Sequence, residues 1–182
     1  MASLVLNGNT SGSVTISSPA VSGSNTLTLP ANTGTVITTA STFAGTGPAF
    51  SAYQSSATSL TSGVFVKIAL QTEDFDTNNC FDNATNYRFT PNVAGYYQII
   101  ASVTVNTTAT VVIASIYKNG SENKRGTQLG SGAASNSIAT GLIYLNGSTD
   151  YVEMYGYQAA ATQNTNTSSV LTYFQGTMVR TA

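Results

Sequence analysis

Apolar and polar residues alternate along most of this chain, and no stretch repeats apolar residues at helical spacing over a helix's length. The alternation is clearest from Tyr96 to Val105. There Tyr97, Ile99, Ala101, Val103 and Val105 share one face, while Tyr96, Gln98, Ile100, Ser102 and Thr104 share the other. This spacing predicts a strand with one buried side. A shorter strand, Tyr87–Thr90, precedes it across a turn carrying Pro91 and Gly95, so the pattern predicts a central hairpin. Gly95 is expected where the chain needs a positive φ or a close approach. Further strands are predicted at Ala49–Tyr53, Val64–Leu70, Thr110–Lys118, Ile138–Leu145, Asp150–Tyr157 and Ser169–Val179. Ile138–Leu145 and Asp150–Tyr157 are expected to form a hairpin about Asn146–Thr149. In the second of these, Val152, Met154 and Gly156 fall on one face, and Tyr151, Glu153, Tyr155 and Tyr157 on the other. Polar loops are expected at 54–63, 73–86, 121–137 and 159–169. Eight or nine strands without a helix predict an all-β fold. An antiparallel jelly-roll sandwich closes such a chain because it pairs most strand edges.

Residues 1–45 read differently from residues 46–182. Short β-like pieces, Ser3–Leu6, Ser13–Ile16, Thr26–Leu29 and Thr35–Thr38, are punctuated by turn residues. Each is too short and too poor in large side chains to bury a core alone. Copies of the chain sharing one core would solve this; a flexible tail is the other reading. Residues 40–48 read as a hinge of small residues.

Composition narrows the function. Only 7% of the residues are charged and the net charge is −1, which lacks the clustered Lys and Arg of a nucleic-acid binder. No apolar run approaches the ~20 residues of a membrane-spanning helix, and the first residues lack the pattern of a secretory signal. One cysteine, Cys80, leaves no internal disulfide. Without histidine there is no Ser-His-Asp triad and no ordinary zinc site. Surface Tyr and small apolar residues on a sparsely charged sheet suggest that one face packs against other subunits, and a closed cyclic trimer does so without fibre growth.

Four motifs in order across residues 48–182 resemble the trimeric jelly-roll heads of complement component 1q and tumour necrosis factor. Phe89, then five residues, Gly95, Tyr97 and Ile99 resemble the core signature of those heads. Asp82 stands five positions before Tyr87, as the acidic or amide residue of those heads does, although Phe75 lies one residue farther from Asp82 than in that pattern. Ile116-Tyr117-Lys118-Asn119-Gly120 resembles their mid-domain strand. Phe174, Gly176 and the apolar pair Met178-Val179 resemble their last strand. The resemblance implies a homotrimeric head with Phe89, Gly95, Tyr97, Ile99, Phe174 and Gly176 as structural core. Separately, Leu29-Pro30-Ala31-Asn32-Thr33-Gly34-Thr35-Val36 and its neighbours resemble the N-terminal parts of tailed-bacteriophage fibre and appendage proteins. Together these imply a virion appendage on a phage tail or capsid surface. Residues 1–45 would attach to another virion protein and residues 46–182 would form the head.

Site chemistry is sparse. No catalytic constellation is present, and seven acidic residues, three of them in Glu73-Asp74-Phe75-Asp76, offer too little for a glycosidase pair. Glu73, Asp74, Asp76 and Asp82 could bind a hard cation such as calcium, or form a solvated acidic loop. No other cofactor is expected. Asn-x-Ser/Thr triplets at Asn83, Asn106, Asn119, Asn146 and Asn166 are chance products of an Asn- and Thr-rich chain. The loops 54–63, 121–137 and 159–169 are the places for a host-surface glycan or protein to bind. The expected function is therefore non-enzymatic host recognition by a trimeric phage appendage. The alternative is a trimeric capsid decoration or short head fibre with no obligatory receptor.

Overall fold

A computed structural model describes residues 3–7, 9–17, 20, 21, 23, 24, 26, 47–106, 109–132 and 136–182. The chain divides into two compact units, Met1–Thr38 and Thr39–Ala182. In the first, β1 (Ser3–Asn7) and β2 (Ser13–Ser17) form a two-stranded antiparallel sheet. The expected piece Thr35–Thr38, the piece Thr26–Leu29 apart from Thr26, and most of the expected hinge lie outside the described residues.

The second unit is a jelly-roll sandwich, with no helix among the described residues. Its strands, in chain order, begin with β3 (Ala49–Tyr53), β4 (Ser59–Leu60), β5 (Val66–Lys67), β6 (Thr72–Asp76), β7 (Phe81–Asp82) and β8 (Arg88–Phe89). The long strands β9 (Ala94–Thr104) and β10 (Ala109–Lys118) follow, then β11 (Ser121–Arg125), β12 (Leu129–Gly132), β13 (Asn136–Asn146), β14 (Val152–Gln158), β15 (Gln163–Asn164) and β16 (Tyr173–Thr181). One sheet has five strands in the order β13-β9-β16-β3-β6. The other has seven, in the order β11-β10-β14-β8-β7, with β12 on β10 and β5 on β14. β4 and β15 form a small two-stranded sheet of their own.

Side chains from both sheets meet in one apolar core. Tyr97, Ile99, Ala101 and Val103 of β9 point into it, and Tyr96 stands outside, as the alternation requires. Phe50 of β3 is the hub. It stacks on Phe89 at 4.3 Å and Phe81 at 5.1 Å, and meets Phe174 edge-on at 5.1 Å. Phe89 meets Tyr97 edge-on at 5.6 Å. Such ring pairs add about 0.5–1.5 kcal/mol each beyond the area they bury. Tyr97 is fully buried, and its hydroxyl donates to the Val93 carbonyl at 2.6 Å. Burial pushes its pKa up to about 12. Two glycines let strands close. A Cβ on Gly95 would lie 2.5 Å from the Arg180 carbonyl oxygen, and one on Gly176 would lie 2.5 Å from Ile99 Cδ1. Gly95 therefore serves close approach, without a positive φ.

Several expectations need correction. Tyr87–Thr90 and Tyr96–Val105 do not form a hairpin: β8 pairs with β7 and β14, while β9 pairs with β13 and β16. Likewise Ile138–Leu145 and Asp150–Tyr157 lie in opposite sheets, because β13 pairs with β9 and β14 with β10. The connection between them is built on Asn146, whose Oδ1 accepts the backbone N–H groups of Ser148, Thr149 and Asp150. The expected loop 73–86 begins as edge strand β6, paired to β3. The expected loop 121–137 is mostly strand. Asn119 (φ 51°) and Gly120 (φ 79°) form a two-residue turn that folds β11 back on β10, a geometry that favours Asn-Gly. Within Val64–Leu70 only Val66–Lys67 pairs as strand, although Ile68 and Leu70 are fully buried.

Candidate functional site

The two sheets turn different surfaces outward. The outer face of the five-stranded sheet is apolar and nearly uncharged. Phe75, Tyr96, Ile138, Leu142, Tyr144 and Val179 are each between 41% and 56% exposed there. These residues come from β6, β9, β13 and β16, and they surround Gln98, Ile100, Gln175 and Thr177. Strands β3, β9 and β13 carry no charged residue at all. Two hollows indent this sheet. One of about 330 Å³ lies between Phe75, Ile100 and Gln175. The other, of about 500 Å³, lies between Tyr96, Leu142 and Val179, at the end of β16.

The seven-stranded sheet presents aromatic rings and guanidinium groups. Tyr117 stacks on Tyr155 at 3.9 Å, and Phe65 packs on Tyr157 at 5.1 Å and Tyr117 at 6.2 Å. Arg125 lies over the Phe65 ring at 5.0 Å and Arg88 over Tyr151 at 4.3 Å. Glu153 is buried beneath this layer and pairs with Lys67. Ser115, also fully buried, donates to Glu122 Oε1 at 2.8 Å. Glu122 in turn takes a two-point contact from Arg125, at 2.7 and 2.6 Å, which lowers its pKa. Partial burial raises the pKa values of the Tyr117 and Tyr155 hydroxyls. Alternation at Tyr151, Tyr155 and Tyr157 pointed to one tyrosine face. Nothing in the sequence brought Phe65, Arg88 or Arg125 to it.

Three of the four acidic candidates are occupied separately. Asp74 accepts from the Ser51 hydroxyl at 2.8 Å. Asp76 accepts the backbone N–H groups of Asn78 at 3.2 Å and Phe81 at 2.7 Å. Asp82 accepts backbone N–H groups from Thr85, Ala84 and Asn86, and the Asn86 side-chain amide at 2.6 Å. These donors, Thr85 first, hold its pKa down to about 2. Partial burial, then the charge of Asp76, raises that of Glu73. Among the described residues, no three His, Cys, Asp or Glu side chains gather where they could hold one ion. Cys80 is buried, and that burial raises its thiol pKa.

Two of the three candidate loops lie side by side. Leu60 pairs with Gln163 and Ser59 with Asn164, and the Thr58 N–H donates to Thr165 Oγ1 at 2.9 Å. Buried Gln54 fastens the first loop from beneath, donating to Thr58 Oγ1 at 2.6 Å and the Ala69 carbonyl at 3.0 Å.

No protein-family model matches the chain, and no curated protein matches it in sequence. Solved structures do share its fold. Murine APRIL, in a crystal structure at pH 5.0, is similar with a TM-score of 0.58 and 11% identity, over 73% of this chain and 99% of that one. The globular domain of zebrafish complement 1qA is similar with a TM-score of 0.54 and 13% identity, over 75% of this chain and 99% of that one. Eiger TNF from S. frugiperda has a TM-score of 0.58 at 6% identity, over 75% and 93%. At such identities the likeness is one of fold: a jelly roll of the tumour necrosis factor and complement 1q type.

Proposed function

We propose that this chain is a non-enzymatic, homotrimeric presenting protein of a tailed-phage virion, acting without a bound cofactor. The observation that carries the reading is the outer face of the five-stranded sheet. An extensive apolar surface with no charge on three of its five strands is costly to leave in water and fits a neutral, like surface. That face packs against two other copies in a closed ring. The seven-stranded sheet then turns away from the ring, and its aromatic–guanidinium layer and the paired loops 54–63 and 159–169 meet the host surface, a glycan or a protein. The N-terminal unit attaches the assembly to another virion protein. The phage setting is supported by the resemblance of residues 29–36 and their neighbours to appendage proteins.

Light scattering on the purified protein tests the assembly. The wild type is expected at three times the chain mass, and the double variant Phe75→Asp, Leu142→Asp at one times. A monomeric wild type, or a double variant that stays trimeric, overturns the reading. Labelled trimer added to host cells is expected to bind them and to lower phage adsorption. Binding only to particles that lack the protein would instead assign it to capsid decoration.

A further inference from the structure

The sheet formed by β1 and β2 has two unlike faces. Its register pairs Leu4 with Ile16 and Leu6 with Val14, so these four side chains share one side. Val5 and Thr15 lie on the other, with Asn7, Ser13 and Ser17. In the single chain Leu4, Leu6, Val14 and Ile16 are 57%, 52%, 64% and 53% exposed. An uncovered two-stranded sheet is marginally stable at best in water. A formed hairpin therefore needs a cover on its apolar side.

Charge and area select the cover. Residues 1–66 contain no Lys, Arg, Asp or Glu, so no ion pair orients an unrelated protein on this one apolar face, and the unit's attachment to another virion protein is left to its other surfaces. The four half-exposed residues offer on the order of 400 Å² of mostly apolar surface, about half of the roughly 800 Å² per partner that an independent complex buries. So small a patch holds only a partner already tethered close by, where effective concentration replaces intrinsic affinity. Other copies of this chain are such partners, and an uncharged face brings no repulsion against itself. We infer that the Leu4–Leu6–Val14–Ile16 face is covered by the same face of the other copies, forming a self-association point separate from the head. The inference rests on the proposed association of the heads.

Full-length protein carrying Cys80→Ala and Val14→Cys, labelled with pyrene maleimide, tests this. Excimer emission is expected from position 14. Monomer emission is expected from the same label at Thr15→Cys on the opposite face. In a second variant, Leu4→Cys with Cys80→Ala, mild oxidation is expected to give disulfide-linked dimers on non-reducing gels. Monomer emission from position 14 and no cross-link at position 4, in a particle whose mass is a multiple of the chain, overturns the inference and leaves the head association standing. Equal excimer signals at positions 14 and 15 also overturn it, and a single-chain mass overturns both readings.

Discussion

Gly95→Ala and Gly141→Ala add the same methyl group at nearly the same crowding, yet they are expected to differ sharply. A Cβ on Gly95 would meet the Arg180 carbonyl oxygen at 2.5 Å, with Met178 Sδ at 3.1 Å behind it. The carbonyl belongs to the neighbouring strand, beside the register shift between Met178 and Arg180, and backbone cannot rotate aside. β9 and β16 must part, which disturbs the core beneath Tyr97. Overpacking of this kind costs about 2 kcal/mol. A Cβ on Gly141 would meet Lys124 Cγ at 2.6 Å, the stem of an exposed, flexible side chain that can swing away. The expected change there is within about 0.5 kcal/mol. For a domain of this size about 3 °C of melting temperature corresponds to each kcal/mol. Gly95→Ala should therefore lower the midpoint by about 6 °C, while Gly141→Ala moves it by less than about 2 °C. Thermal unfolding followed by circular dichroism, at matched protein concentration, measures both. Equal shifts, or a larger one for Gly141→Ala, would refute the claim that backbone proximity is what reserves position 95 for glycine.

Removing one partner of the Lys67–Glu153 pair should cost far more than removing both. Lys67→Met leaves a buried carboxylate uncompensated, an expected loss of about 3–5 kcal/mol, and a Lys67→Met, Glu153→Gln double variant should recover at least half of it in urea titration. Asp82 should give the stability curve an acid limb. Its folded pKa, about 2, lies below the ordinary 3.8. Its contribution is therefore complete above about pH 4 and lost as the pH falls toward 2. Solvent screening limits the effect to on the order of 1 kcal/mol, and Asp82→Asn should flatten the curve in that window alone.

The faces of the strands were legible in the sequence, because period-two alternation reports burial directly. The alternation in β9 grouped Tyr97 with Ile99, and that in β14 grouped Val152 with Met154; in the structure each pair lies in the core. Partners were not legible. Turn residues such as Pro91 and Asn146 look the same whether the chain reverses within a sheet or crosses to the opposite one, so both expected hairpins came apart into separate sheets. Charge misled in a different way. Glu73, Asp74 and Asp76, and the run Glu122-Asn123-Lys124-Arg125, read as loop. They stand on the edge strands β6 and β11, where charged side chains discourage pairing with a further strand. The aromatic–guanidinium layer stayed hidden because it joins residues up to 92 positions apart, from Phe65 to Tyr157.

In the five-stranded sheet, β16 lies between β9 and β3. The strand synthesised last among its members is therefore the one that joins its two halves. A nascent chain that has reached residue 172 holds β3, β6, β9 and β13 with a gap down the middle, and Phe50 and Ile99 face that gap without Phe174 and Gly176. During translation the sheet cannot close until residue 181 emerges, and until then those strand edges stay unpaired. A chain broken off upstream of residue 173 lacks the strand that completes the sheet. The fold thus discriminates chains that carry residues 173–181 from chains that stop before them, ahead of any assembly.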